Sequence, residues 1–226
     1  MIIPKIKAIL HQARSMLKND PDRFLQKVSG VIHVGANTGQ ERELYAKLGL
    51  RVIWIEPIPE VFEKLKANVE NFSRQHALKC LVTDQDNVAY PFHICNNDGH
   101  SSSILDLNLH KDIWPQVAYE KTITLRSKTL PSLLEGEHIN YSEYDSLIMD
   151  TQGSELLVLK GAVSILKNFT YIKTEVPDFE SYTGCCQLAD IAPFLVRHGY
   201  REFSRYKFAE HPNGGSYYDV VYKREA

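Results

Sequence analysis

Gly35 and Gly39 bracket Ala36, Asn37 and Thr38 just after an apolar run, Val31-Ile-His-Val34, and Glu56 closes a second apolar run, Val52-Ile-Trp-Ile55. Glycine lets a backbone turn tightly and approach a ligand, because no side chain stands in the way. A helix beginning after Gly39 would aim its free N–H groups and the positive end of its dipole at that turn. A carboxylate ~20 residues further on lies at the distance at which one strand–helix–strand unit returns an acid to the hydroxyls of a ribose. A nucleotide-like ligand needs this order of parts. The candidate contacts are Gly35, Ala36, Asn37, Gly39, Glu56 and the adjoining Pro57.

Spacing separates two cofactor classes. A dinucleotide site uses G-x-G-x-x-G, with the pyrophosphate resting on the helix N-terminus. Here Asn37 occupies the second glycine position and Gln40 follows Gly39. S-adenosylmethionine has no phosphate, and needs room for a methionyl group and an acid for its ribose. The motif therefore favours a methyl donor over NAD or FAD, and a nicotinamide oxidoreductase is the less favoured reading.

The second half of the chain supplies further acids. Asp150 ends the apolar run Ser146-Leu-Ile-Met149, and Glu175 lies near the end of Tyr171-Ile-Lys-Thr-Glu-Val176. Open α/β sheets bind ligands at the carboxyl ends of their strands. Asp150 could orient an acceptor hydroxyl, contact a methionyl ammonium or act as a general base, with Glu175 beside it. Two such acids could also hold Mg²⁺, which takes oxygen ligands; that reading is not favoured, and no metal site is assigned. Thr83 and Asp84, ending a third strand, are candidates for the adenine amino group. Ser102 and Ser103, with Ser101, are candidates for the methionyl carboxylate. His100, His110 and His211 are candidate bases in loop-like segments. Glu155 is explained equally by helix-dipole placement and by catalysis.

These residues require elements to hold them. Helices are expected over 3–18 and 21–28, 40–48, from Pro59 onward, 154–167 and 187–198, with one helical turn over 130–134. Strands are expected over 31–34, 51–55, 77–83, 146–149 and 171–176, and a closing antiparallel hairpin over 200–208 and 216–223 turns around Asn213-Gly-Gly215. Residues 84–143 lack helical periodicity and read as short strands and loops. They form an insertion that partly covers the cleft, with Trp114 and Tyr119 as apolar walls for an acceptor ring. The domain plan is an N-terminal helical extension, 1–28, followed by a single α/β domain, 29–226.

At 226 residues, 43% hydrophobic and 24% charged, the chain can bury one sizeable core. A net charge of −2 gives no sign of a nucleic-acid partner. No apolar run reaches the ~20 residues of a membrane span. The amphipathic first ten residues read as a surface or docking helix rather than a signal peptide. The four cysteines match no zinc spacing, and a reducing, cytoplasmic setting is the default.

Three stretches together, His33-Val-Gly-Ala-Asn-Thr-Gly39, Asp150-Thr-Gln-Gly-Ser-Glu155 and Leu159-Lys-Gly-Ala162, resemble the FkbM-type S-adenosylmethionine-dependent methyltransferases. The resemblance runs from about residue 29 to the C-terminus. It implies a Rossmann-like class I methyltransferase fold: a seven-stranded, mostly parallel sheet with an antiparallel last strand and helices on both faces. It also implies O-methylation of a small-molecule or sugar hydroxyl. Two positions depart from the family pattern: His33 stands where Asp is usual, and Gln152 where an acid is common. A module of this fold that binds the cofactor without transferring a methyl group is the alternative.

Overall fold

The computed structural model describes residues 21–225; the helix expected over 3–18 lies outside them. In place of a helix over 21–28 there is one 3-10 turn, Arg23–Lys27. Its Phe24 and Leu25 are each 1% exposed, so the turn plugs the core. Then follow β1 (Gly30–Val34), α1 (Arg42–Lys47), β2 (Arg51–Glu56), α2 (Pro59–Val69), β3 (Gln75–Lys79), β4 (Leu81–Val82) and β5 (Ala89–Cys95). Next come α3 (His110–Ile113), β6 (Tyr119–Lys128), α4 (Leu130–Gly136), β7 (Ser146–Met149) and α5 (Glu155–Gly161). The chain ends with β8 (Tyr171–Pro177), α6 (Leu188–Arg197), β9 (Tyr200–Glu210) and β10 (Ser216–Arg224).

Seven strands form one sheet in the order β3-β2-β1-β7-β8-β10-β9. The first five of these pair in parallel, and β10 runs antiparallel to both β8 and β9. β1 and β7 are buried on both faces, as their unbroken apolar runs require of central parallel strands. One face packs α4, α5 and α6 around Ile32, Leu147 and Ile172. The other packs the opening turn, Tyr45 of α1 and Leu65 and Val69 of α2 around Val31, Trp54 and Tyr171.

Two further differences from expectation meet beside the cleft. The strand expected over 77–83 breaks at Cys80. Leu81 and Val82 leave the main sheet and pair with β6 in a small second sheet, β4-β6-β5. The helix expected over 154–167 ends at Gly161, followed by a 3-10 turn at Leu166–Asn168. One contact joins the two changes: a Cβ on Gly161 would lie 2.2 Å from the Thr83 carbonyl oxygen. Only glycine lets α5 sit against the chain leaving β4. Among the described residues no helix is long and apolar enough to cross a membrane.

Candidate functional site

The turn after β1 is built from beneath by β2. Gly35 N–H and Ala36 N–H both donate to the Ile55 carbonyl, at 2.9 and 3.0 Å. The next amide, Asn37 N–H, donates to Glu56 Oε2 at 2.9 Å, and Ile58 N–H donates to Oε1 at 2.9 Å. Glu56, 4% exposed, thus has one backbone donor on each oxygen. One lone-pair direction on each oxygen remains for a ligand. Asn37 holds its φ at +44° and ties the turn to the insertion through its Nδ2, which donates to the Asp98 carbonyl. α1 begins at Arg42 rather than Gln40, so the turn is longer than expected and the helix end is further from it.

A cleft crosses the carboxyl ends of β3, β2, β1 and β7, with about 550 Å³ of space in it, counting the solvent at its open mouth. Cys80, Leu81 and Val82 line it on the β3 side, Glu56, Pro57 and Ile58 after β2, and Gly35 and Asn37 after β1. Asp150, Thr151, Gln152 and Ser154 line it after β7. The insertion adds Phe92, Gly99, His100 and Ser102. Ile58, Leu81 and Phe92 belong to one apolar cluster. The cleft is therefore apolar at the β3 side and polar at the β7 side, with a buried acid between.

Six of the candidate cofactor-binding and catalytic residues, Ala36, Gly39, Thr83, Asp84, Ser103 and Glu175, do not line this cleft. Ala36 is buried under the turn, and Gly39 packs against α2, where a Cβ would come within 2.8 Å of Leu65 Cδ1. Thr83 and Asp84 follow β4 out of the main sheet and pack on Gly161. Ser103 Oγ donates to the Gln152 carbonyl, fastening the insertion to the loop after β7. Glu175 is held behind Gln152. Trp114 and Tyr119 are not walls of the cleft either. Trp114 packs on His110 and Tyr217, and the Tyr119 hydroxyl is used by Leu105 O and Leu107 N–H. Of the candidate bases, His100 is at the cleft. His211 bonds Asp112, and His110 lies between Ser101 Oγ (3.0 Å) and Tyr217 OH (2.7 Å). His33 is a core residue stacked on Trp54.

The loop after β7 is organised by Glu155, which is 1% exposed. Its carboxylate accepts from Thr151 N–H at 2.8 Å, from Gly153 N–H, from Thr151 Oγ1 and from the Cys186 thiol. Above it, Gln152 Nε2 donates to Asp150 Oδ1 at 2.5 Å and lies 3.4 Å from Glu175 Oε1. Burial raises every acid here. Glu56 is pushed up to about 7 by desolvation, against the pull of its two backbone donors. Asp150 is pushed up to about 7 by desolvation, with Glu155, Asp219 and Glu41 adding repulsion. Glu175 is raised well above the carboxylate range by desolvation and by Asp150. Among the described residues no group of three or more His, Cys, Asp or Glu side chains is placed to hold a metal ion.

The buried histidines shift the other way. Desolvation lowers His33 to about 3 and His110 to about 4. As pH falls from 6.5 toward 4, the unfolded chain takes up a proton at His110 before the folded chain does, so the folded state loses stability across that window. The shift is worth on the order of 3 kcal/mol. His110→Gln can keep polar partners for Ser101 and Tyr217 but does not titrate. Its melting temperature should fall less steeply than wild type between pH 6.5 and 4.5, and parallel curves would contradict a neutral, buried His110.

The match to a family model decides the relationship: the model for the methyltransferase FkbM domain covers residues 33–202. The chain belongs to the FkbM methyltransferase family. Methyl transfer from S-adenosylmethionine is accordingly its general chemistry. No curated protein matches this FkbM chain. Solved structures share its fold at low identity. TrmK from M. capricolum, in complex with the natural cofactor product S-adenosylhomocysteine, superposes with a TM-score of 0.52 and 8% identity, over 91% of this chain and 67% of that one. The METTL16 methyltransferase domain gives 0.53 and 13%, over 91% and 65%. A protein from Listeria monocytogenes serotype 4b gives 0.52 and 9%, over 91% and 66%. The FkbM chain spans about two thirds of the length of these structures.

Proposed function

We propose that this chain moves a methyl group from S-adenosylmethionine to a hydroxyl oxygen of a small molecule or sugar. The observation that carries the cofactor half is Glu56: a buried acid with one open lone pair on each oxygen, set between an apolar and a polar end of one cleft. Ribose hydroxyls would donate to it, adenine would lie against Ile58, Leu81 and Phe92, and the amino-acid end would meet the loop after β7. A sulfonium methyl is already activated, so the protein's work is alignment and exclusion of water. Asp150, and His100 at the cleft, are the groups able to take the acceptor proton. Asp150, with its pKa raised to about 7, is suited to take a proton near neutral pH.

Calorimetry with S-adenosylhomocysteine tests the reading. Wild type should bind it and should not bind NADH. Glu56→Ala should weaken binding by ~1.5–3 kcal/mol, the worth of hydrogen bonds to a charged group. Unchanged affinity in a folded variant would remove the ribose assignment.

A further inference from the structure

Tyr182 lies in the loop between β8 and α6, far from the glycine turn in sequence, and is 1% exposed. Its ring packs on His110, 5.0 Å between centroids, and its hydroxyl sits 2.7 Å from Gln152 Oε1 and 3.1 Å from the Ser101 carbonyl. An O–H donates one hydrogen, and the shorter contact is to Gln152. That bond fixes which way the Gln152 amide points. With its oxygen held by Tyr182, the NH₂ group must face the other way, where Asp150 Oδ1 and Glu175 Oε1 lie. Gln152 also has a φ of +51°, a backbone conformation that a residue with a side chain adopts only when its surroundings impose it. Among the described residues, no group donates to Asp150 Oδ2.

We infer that Tyr182 is a positioning residue for Asp150: through Gln152 it supplies the hydrogen bond that holds the cleft carboxylate and turns it for use. The assignment rests on the cofactor reading above only for its consequence in binding; the linkage itself is a property of the free protein. Asp150 is surrounded by like charge from every side. Glu56 faces it from β2, Glu41 from the segment before α1, Glu155 from α5, Glu175 from β8 and Asp219 from β10. Lys173, buried beside Asp219, is paired with Asp22 and Asp219, and His100 lines the same cleft. Within that field the Gln152 amide is, among the described residues, the one neutral donor bonded to the Asp150 carboxylate. Tyr182→Phe would free the amide to rotate, and Asp150 would then hold its proton to higher pH.

The test is a carboxyl ¹³C titration of protein labelled at aspartate, with the Asp150 signal assigned by its loss in Asp150→Asn. Tyr182→Phe should move the Asp150 midpoint up by about one pH unit. Gln152→Ala should do the same or more. The double variant should match Gln152→Ala, because Tyr182 acts through that residue. An unmoved midpoint in Tyr182→Phe, or a further rise in the double variant, would overturn the proposal. Calorimetry with S-adenosylhomocysteine gives the second readout. If Asp150 must be ionised to meet the ligand ammonium, a one-unit rise lowers affinity about fivefold at pH 7 and leaves it nearly unchanged at pH 8.5. Equal losses at both pH values would mark Tyr182 as scaffold and overturn the positioning role. Failure of wild type to bind S-adenosylhomocysteine would instead sink the cofactor reading, while the titration still decides the linkage.

Discussion

Gly35→Ala should lower the melting temperature by ~10 °C or more and abolish binding of S-adenosylhomocysteine. The reason is a backbone contact rather than a ligand contact. A Cβ at this position would lie 1.8 Å from the Asp150 carbonyl oxygen and 2.7 Å from its carbonyl carbon. The turn after β1 and the loop after β7 touch there, backbone to backbone. Alanine must also adopt φ +80°, which costs roughly 1–2 kcal/mol before any clash. Relieving the overlap means parting two neighbouring strand ends, a further 1–3 kcal/mol or more for an overpacked site. In a chain of this length each kcal/mol is worth about 2–4 °C. Gly184→Ala is the control: its φ is +71°, and nothing lies within 4 Å of the added carbon. If Gly35→Ala melts no lower than Gly184→Ala, the close approach is wrong.

Asp150→Asn should cut methyl transfer by ~10²-fold or more, the range for a positioned acid–base group, while making the protein more stable at alkaline pH. Ionised Asp150 is desolvated and sits among Glu155, Asp219 and Glu41. Its folded pKa, about 7, is above the ordinary aspartate value, so the folded state binds the proton more tightly than the unfolded state does. Stability therefore rises as pH falls through 7, and the ionised form is a burden above it. Asparagine removes that burden and can still accept from Gln152. The variant should melt several degrees above wild type at pH 8, with the difference shrinking toward pH 5. Released S-adenosylhomocysteine with a hydroxyl acceptor reports the transfer, and thermal melts report the rest. Full turnover would dismiss the base role, and a lower melt at pH 8 would dismiss the buried-charge account.

The architecture was readable because its signals are local. Val31-Ile-His-Val34 and Val52-Ile-Trp-Ile55 are apolar but for His33, as strands covered on both faces are, and β1 and β2 lie where those runs do. The apolar wall of the cleft was not readable. Phe92 alternates with its neighbours as any strand residue does, and its place beside Ile58 depends on β4 leaving the main sheet. Cys80 reads as a core residue and is one, yet it also lines the cleft. Tyr182 carries no signal at all, since it sits alone in a loop and its role comes from two partners remote in the chain. Trp114 and Tyr119 show the converse: large aromatics in an insertion invite a ligand-binding reading, but their neighbours are other rings and backbone groups. The glycines mislead in a similar way. Gly35 lines the cleft but is required by Asp150, and Gly39 is required by α2.

Glu155 holds the loop above it by backbone N–H groups and a threonine hydroxyl, so most of the loop's shape does not depend on which side chains it displays. The positions most exposed to an incoming acceptor are thereby released from the job of folding. A lineage could remodel the rim around Gln152 and keep the same platform underneath. Divergence in acceptor choice should therefore accumulate on this loop, with the buried acid beneath it left in place.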